Sequence, residues 1–195
     1  MSPVVKKIGA ATMADLEALP EHVKGEIIEG MLYTQARPRP RHADMVMSLG
    51  GDLRDRFQQG RGGPGGWWIV AEPGVRVPTA KEFSPDIAGW RKERMPELPA
   101  RAFTTIPDWV CEVLSPSNRS YDLRIKRPFY ARIGVEWLWL VDIEARVLLV
   151  NRLVDGRWVE MQDFGDETAA RIQPFDTVEL PLASLWPPPL PDDDE

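Results

Sequence analysis

The amino-acid sequence predicts a mixed α/β fold, and two features of its pattern carry this prediction. Residues 108–114 form a short apolar run, residues 122–133 follow with helical spacing, and residues 136–141 return to an apolar run. A strand, a helix and a strand in this order form a crossover unit, which is typical of α/β proteins. Shorter alternating segments lie on both sides of this unit, and they predict antiparallel strands added to it.

Two short elements are predicted near the N-terminus. Thr12 and Asp15 have the spacing of a helix-capping pair, which predicts a short helix that runs through Leu19. Residues 26–33 then predict two short strands joined by a turn at residues 29–30, where a glycine follows a glutamate.

A longer helix follows a proline-rich approach. Residues 37–41 alternate arginine with proline, and we expect them to be extended because proline disfavours a helix at its own position and at the one before. A helix is predicted over 42–59, where apolar residues recur at steps of three and four, and the glycine-rich residues 60–66 end it. The residues of this apolar stripe are Val46, Leu49, Leu53 and Phe57.

After this helix the spacing changes to that of strands. Proline-rich stretches separate the first three of them, and Asp155-Gly156 is a strong signal for the tight turn of a hairpin between the last two. The predicted strands outside the crossover unit are 67–70, 74–77, 86–90, 146–153 and 157–162.

Pro128 complicates the predicted crossover helix. A proline in the interior of a helix costs about 3 kcal/mol or produces a kink. We therefore expect either a kinked helix over 122–133 or a helix that starts after Arg127, and both arrangements leave Lys126 near the end of the sheet. The apolar stripe of this helix is predicted at Ile125, Phe129 and Ile133.

The length of 195 residues predicts one folded domain, since a typical domain has about 150 residues. We assign this domain to residues 12–186, with an N-terminal arm over 1–11 and a proline-rich acidic tail over 187–195. The formal net charge is −6, but the last four residues are all acidic and carry most of it. The charge of the folded part is therefore compatible with a nucleic-acid substrate, although it does not favour one strongly.

The composition also excludes several kinds of site. The single cysteine, Cys111, excludes an internal disulfide and a cysteine-based zinc site, and two separated histidines exclude a histidine-rich metal cage. The apolar runs are far shorter than the roughly 18 residues of a membrane span, and the N-terminus lacks the apolar segment of a signal peptide. We therefore expect a cytoplasmic protein without a membrane partner.

Two carboxylates stand at unusual places in the predicted sheet. Asp86 follows Pro85 at the start of a strand, and Glu112 lies in the middle of the apolar strand 108–114. Strand alternation puts Glu112 on the same face as Val110 and Leu114. A carboxylate in such surroundings requires compensation by a metal ion, by a cationic partner or by protonation.

A lysine completes the set of candidate site residues. Lys126 lies fourteen residues after Glu112, and the polar loop 115–120 connects the two segments at the end of the strand where α/β proteins usually form their sites. Two carboxylates suit a hard divalent cation such as Mg²⁺, which polarises a phosphoryl oxygen and acidifies its bound water. A lysine can orient that water or stabilise the charge of the transition state.

These residues resemble the Uma2 family, formerly DUF820, which is grouped with the PD-(D/E)XK nuclease superfamily. The resemblance spans residues 16–180 and is most specific over 108–142. The segments that carry it are Pro85-Asp86, Glu112-Val-Leu-Ser-Pro-Ser117, Asp122, Lys126, Tyr130, Gly134-Val135 and Trp139-Leu-Val-Asp142.

The resemblance implies a restriction-endonuclease-like mixed sheet flanked by helices, with β-hairpin additions at both ends of the chain. It also implies an endonuclease that hydrolyses DNA with Mg²⁺, or with Mn²⁺, and it leaves a homodimer open. Asp86 then corresponds to the aspartate of the PD motif and Glu112 to the acid of the next strand. Leu114 occupies the position of the usual motif lysine, so that role moves to Lys126. The early acid of the superfamily is assigned to Glu26, with Glu29 second.

Other interpretations of these residues stay open at this point. Asp86 is also compatible with a strand-start aspartate, Glu112 with a structural ion pair to Arg124 or Lys126, and Asp122 is interpreted as a helix cap. A fold without catalysis that binds nucleic acid or protein is the alternative function. The residues assigned to phosphate contact, with a solvated or structural role as their alternative, are Arg41, His42, Arg119 and Arg124.

Overall fold

The computed structural model describes residues 4–7, 11–36, 39–165 and 167–188, with the backbone alone described for 4–7 and for residue 36. The described part contains two β-sheets. In chain order its strands are β1 Val4–Lys7, β2 Val23–Ile28, β3 Met31–Ala36, β4 Trp67–Ala71, β5 Val75–Val77, β6 Ala80–Phe83, β7 Ile87–Arg91, β8 Trp109–Leu114, β9 Trp137–Asp142, β10 Val147–Val154 and β11 Arg157–Phe164.

The helices cover both faces of the larger sheet, and they include two π-helical turns of five residues each. One π turn, Arg54–Gln58, extends the second helix, and the other, Asp122–Lys126, joins the third to the fourth. The helices are α1 Met13–Glu17, α2 Pro40–Leu53, α3 Arg119–Tyr121, α4 Arg127–Ile133 and α5 Leu182–Leu185. Within the described ranges, none of these helices has the length and apolar character that crossing a membrane requires.

The six-stranded sheet has the order β11-β10-β9-β8-β7-β4, and its only parallel pair is β8 with β9. Helices α3 and α4 connect these two strands, so the predicted crossover unit and the mixed α/β fold class are confirmed. The predicted hairpin of β10 and β11 extends one side of this sheet. The five-stranded sheet has the order β1-β3-β2-β6-β5 and is antiparallel throughout.

The two faces of β8 pack against different layers, as the alternation of its residues predicts. Trp109, Cys111 and Val113 lie in the core beneath α2, and Cys111 is a free, buried thiol. Val110 and Leu114 lie in the other core, where they meet side chains of α4 such as Phe129. Glu112 therefore points into an apolar layer that the crossover helices cover.

The segment 37–41 is only partly as predicted. Arg37 and Pro38 lie outside the described residues, and Arg39 is extended. Pro40 and Arg41, which we expected to be extended, instead form the first turn of α2. A proline is favourable at the first position of a helix because its fixed φ suits the helix and its missing N–H has no helical partner there.

The helix around Pro128 is continuous over residues 119–133 and contains a π turn. In this turn the N–H of Arg127 donates to the carbonyl of Asp122, five residues earlier. The ring of Pro128 would meet the carbonyl of Arg124 in a regular α-helix, and a wider turn relieves that contact. The helix ends at Gly134, whose φ of 84° is the left-handed conformation that glycine adopts without strain.

Candidate active site

Six ionisable side chains meet where the five-stranded sheet, α2 and the crossover helices approach β7 and β8. Each of them is at most 5% exposed. Residues from five separate places in the chain contribute, so the site depends on the whole fold. We call this set the buried charge cluster; it consists of Glu26, His42, Asp86, Glu112, Asp122 and Lys126.

Lys126 occupies the centre of the cluster. Its Nζ donates to both carboxylate oxygens of Glu112, at 3.0 and 3.1 Å, and to the carbonyl of Ser84 at 2.9 Å. Glu112 also accepts a short hydrogen bond from the hydroxyl of Tyr130. Tyr130 follows Lys126 by four residues, so one helix face supplies both partners of Glu112.

Asp86 links β7 and β8 through its side chain. One of its oxygens accepts a hydrogen bond from the backbone N–H of Val113 at 2.8 Å and lies 3.0 Å from His42 Nε2. Burial acts to raise the pKa of Asp86, but the hydrogen bond and charge of His42 and the charge of Lys126 outweigh it and hold this pKa well below its usual range. Asp86 is therefore an ionised carboxylate at neutral pH.

His42 lies inside the cluster and has little exposed surface. Burial acts to lower its pKa, whereas the hydrogen bond to Asp86 and the charges of Asp86 and Glu112 raise it above the ordinary value. The raised pKa favours the protonated form of His42 beside Asp86, and the contact between these two side chains connects the start of α2 with the residue that precedes β7.

Glu26 belongs to the cluster, and Glu29 does not. One oxygen of Glu26 accepts a hydrogen bond from the hydroxyl of Tyr121 at 3.1 Å, and the other lies 3.3 Å from Lys126 Nζ without a hydrogen bond. Glu29 lies in the turn after β2, where its carboxylate pairs with Arg132 at 2.8 Å on the surface. Of the two early acids, Glu26 is thus the one that faces the other candidate residues.

Asp122 is the cluster residue whose position the sequence did not predict. We interpreted it as a helix cap, and that interpretation is wrong: its side chain is buried, 4.0 Å from Lys126 Nζ, and one of its oxygens has no hydrogen-bond partner. The wide π turn places Asp122, Lys126 and Tyr130 on the same inward face. Their spacing of four residues is the signal that could have revealed this stripe.

The cluster contains more acidic than basic groups. Burial, together with the charge of Asp86, raises the pKa of Glu112 to about 7 even though Lys126 and Tyr130 act to lower it. Burial and the charge of Glu112 likewise raise the pKa of Asp122 well above its usual range. Four carboxyl groups around one lysine and one histidine thus form a site in which additional positive charge is stabilising.

The donor atoms of this cluster fit a hard divalent cation. Carboxylate oxygens are the ligands that Mg²⁺ prefers, and one oxygen each of Glu26 and Asp122 is buried without a hydrogen bond. Within the described ranges, no group of three or more His, Cys, Asp or Glu side chains is arranged to hold a metal ion.

The arginines assigned to phosphate contact lie outside the cluster. Arg41, in the first turn of α2, donates to the carbonyl of Pro188 at 2.6 Å. Arg119, at the start of α3, pairs with Asp142 at the end of β9. Arg124 is exposed on the π turn and does not pair with the buried Glu112. Of the two ion pairs considered for Glu112, the structure contains the one with Lys126.

The unfolding free energy of the metal-free protein is expected to fall as the pH rises from about 5 to about 8. Glu112 and His42 have folded-state pKa values above their ordinary ones, and such groups lose their stabilising contribution as the pH rises through the folded value. One such group changes stability by about 1.4 kcal/mol for each pH unit between its two pKa values. Asp86 acts with the opposite sign, but only in acid, below the ordinary aspartate range.

Urea unfolding with a chelator at several pH values measures this slope. The Glu112→Gln variant should show a flatter profile between about pH 5 and pH 7, because its amide does not titrate. A wild-type stability that is constant or rises over this window would contradict the prediction.

Comparisons with known proteins agree with the fold and with the family that the sequence resembles. The model of the Uma2 family, described as “Putative restriction endonuclease”, matches residues 13–183. The crystal structure of a “putative nuclease belonging to DUF820” from Anabaena variabilis ATCC 29413 has a TM-score of 0.70 and 20% sequence identity, and the match covers 90% of this chain and 97% of that one. None of the curated proteins matches the chain significantly. Since the family model spans most of the sequence, the chain belongs to the Uma2 family.

Proposed function

We propose that this protein is a divalent-metal-dependent endonuclease that hydrolyses phosphodiester bonds of DNA. The observation that carries the proposal is the meeting of Asp86, Glu112 and Lys126 in one buried cluster at the end of β8. This combination of two carboxylates and an ammonium group suits phosphodiester hydrolysis, because a developing negative charge on the phosphoryl oxygens needs positive charge around it.

In this proposal Asp86 and Glu112 would hold Mg²⁺ or Mn²⁺. When bound, the ion would supply positive charge to a phosphoryl oxygen and would lower the pKa of a water molecule. Lys126 donates a hydrogen bond to the attacking water or to a non-bridging phosphoryl oxygen. Glu112, Glu26 and Asp122 surround the ammonium of Lys126 and keep it protonated, since the charge of Glu112 and, to a lesser extent, those of Glu26 and Asp122 raise its pKa well above the ordinary value against the effect of burial.

The proposed substrate contacts lie around the cluster. Arg41 and His42 are neighbours at the start of α2, and Arg119 and Arg124 belong to the same helical segment as Lys126. In the proposal the arginines bind phosphates on either side of the hydrolysed bond, which fixes the strand without reading its sequence. His42 acts by holding Asp86 ionised.

A second candidate function is a nuclease-like fold that binds nucleic acid or protein without cleaving it. The observation that favours it is the engagement of Glu112, whose carboxylate already accepts bonds from Lys126 and Tyr130 in a fully buried environment. A metal ion would have to displace part of this arrangement. Calorimetry with Mg²⁺ and Mn²⁺ separates the two functions, since only the nuclease requires binding of the ion.

Wild-type protein is expected to convert supercoiled plasmid DNA to nicked or linear forms when Mg²⁺ or Mn²⁺ is present. A chelator should abolish the conversion, because the carboxylates alone provide no positive charge for the phosphoryl oxygens. Gel electrophoresis over a time course measures the rate, and a Glu97→Gln variant, altered at an exposed carboxylate, serves as the purification control. Cleavage that persists in the chelator, or no cleavage together with no heat of metal binding, would contradict the proposal.

A further inference from the structure

A cleft of about 320 Å³ opens beside the buried charge cluster. Ser84 lines this cleft, and its carbonyl is the one that accepts a hydrogen bond from Lys126. Ser84 therefore lies between the cleft and the ammonium group of Lys126. Its charged and hydroxyl-bearing lining residues are Glu21, Lys24, Glu72, Glu82 and Ser84.

Lys24 lines the cleft and lies in the same strand as Glu26 of the cluster. It lies two residues before Glu26 in β2, and side chains two residues apart project from the same face of a strand. Lys24 thus points to the side on which Glu26 meets Lys126 and Tyr121. Its side chain is 22% exposed, whereas that of Lys126 is 2% exposed, so Lys24 is a positive charge that solvent reaches.

The charges of the cluster affect the pKa of Lys24. Burial and the charge of Lys126 act to lower its pKa, but the carboxylates of Asp86, Glu26 and Glu72 outweigh them and hold this pKa above its ordinary value. Lys24 is therefore protonated at neutral pH, close to the carboxylates that the proposed function assigns to catalysis and metal binding.

Glu72 holds Lys24 across the cleft. The two side chains form an ion pair of 2.9 Å, and the carboxylate of Glu72 is 49% exposed. The backbone N–H of Glu72 donates to the carbonyl of Asp86 at 3.0 Å, and its φ of 46° lies in the left-handed region that glutamate rarely adopts. The backbone that positions the partner of Lys24 is therefore bonded directly to Asp86, the residue that precedes β7.

We propose that Lys24 is a phosphate-binding residue of the DNA substrate, and that Glu72 occupies its ammonium group in the free protein. The inference rests on the proposed nuclease function and names the group that receives the strand at the entrance of the site. A backbone phosphate that enters the cleft replaces the carboxylate of Glu72 on Lys24. The exchange keeps Lys24 paired with an anion throughout, and it releases the carboxylate of Glu72 to solvent.

The cleft itself favours such an exchange over simple addition. Glu82 is already paired with Arg76 at 2.8 Å, so its charge is largely compensated. Glu72, in contrast, has about half of its side chain in solvent. Because a single exposed ion pair contributes little free energy, a phosphate can displace the carboxylate of Glu72 from Lys24 at small cost.

The experiment compares full-length variants in two assays. Fluorescence anisotropy measures DNA binding with Ca²⁺ in place of Mg²⁺, and gel electrophoresis measures DNA cleavage with Mg²⁺. Lys24→Gln is expected to weaken binding about tenfold and to reduce the slope of log affinity against log salt by about one. Lys24→Arg should keep most of the affinity. Lys81→Gln, which removes an exposed lysine of β6 outside the cleft, is the matched control and should leave both quantities unchanged. Glu72→Gln should bind DNA several times more tightly than the wild type.

The outcomes separate this inference from the proposed function. If wild-type protein cleaves DNA but Lys24→Gln behaves like Lys81→Gln, the inference is wrong and the nuclease function stands. If wild-type protein binds DNA through Lys24 without cleaving it, the inference stands and the nuclease function fails. Wild-type protein that neither binds nor cleaves DNA overturns both. An unchanged melting temperature of Lys24→Gln confirms that a loss of binding does not come from unfolding.

Discussion

The Asp86→Asn variant is expected to cleave DNA at least about a thousandfold more slowly than the wild type while it keeps its fold. Its amide oxygen can still accept the hydrogen bond from Val113, so the link between β7 and β8 survives. The negative charge that the proposal uses to hold the metal ion is lost, however. Removal of one group that stabilises the transition state typically costs two to three orders of magnitude in rate, and loss of a metal ligand costs at least as much, so about a thousandfold is the expected scale.

Plasmid cleavage over a range of enzyme and Mn²⁺ concentrations measures this loss. Asp44→Asn is the matched control, since Asp44 is exposed on α2 two residues after His42 and has the same chemistry. The melting temperature of Asp86→Asn should stay within a few degrees of the wild type. If the rate falls by less than about tenfold, Asp86 does not have the proposed role.

The crossover unit could be predicted from the sequence because local patterns determine it. β8 and β9 are apolar on both faces, as strands at the centre of a sheet covered by helices must be. The turn of the β10–β11 hairpin was equally predictable: Asp155 and Gly156 both have positive φ, at 49° and 73°, which is the geometry that an Asp-Gly pair favours.

The second sheet was only partly visible in the sequence. β2 and β3 were predicted, but β6, which joins them to β5, was interpreted as a proline-rich separator. β6 is four residues long and two of them are buried, so its pairing with β2 depends on the assembled sheet and has little local signal. Val4–Lys7 likewise pairs with β3, although the sequence was interpreted there as an arm.

The buried charge cluster shows where residue patterns stop being informative. Glu112 was conspicuous because a carboxylate in an apolar strand needs a partner, and the resemblance to a known family indicated Asp86 and Lys126. Asp122 was missed because a polar residue at the start of a helix usually faces solvent or caps the helix. Its inward orientation comes from the π turn before Pro128, and such a turn depends on tertiary packing as much as on sequence.

The ion pair between Glu112 and Lys126 does not by itself decide between a structural and a catalytic role. It was the structural alternative for Glu112, and it is present. A purely structural pair, however, would be complete with one acid and one base, and here Glu26 and Asp122 also face the same ammonium group. This excess of acid makes the cluster a costly way to stabilise a fold, and it is better explained by a site that receives positive charge.

The Lys126→Met variant is expected to be less stable than the wild type by about 3–5 kcal/mol. Methionine fills a similar volume, but it leaves Glu26, Glu112 and Asp122 buried without the cation that they share. For a chain of this length the loss corresponds to a melting temperature lower by roughly 10 °C. The carboxyl groups can escape part of the penalty by binding protons, so the deficit should be larger at pH 8 than at pH 5.

Urea unfolding of three variants tests whether this cost comes from the uncompensated carboxylates. Arg124→Met, on the same π turn but exposed, is the control and should change stability by less than about 1 kcal/mol. The double variant Lys126→Met/Glu112→Gln should recover part of the loss, since it removes the carboxylate closest to the missing ammonium group. Equal stability of Lys126→Met and Arg124→Met, or a double variant that loses the sum of both single changes, would show that Lys126 does not compensate the cluster. Partial recovery would instead show that Lys126 compensates the charge of the three acids that it faces.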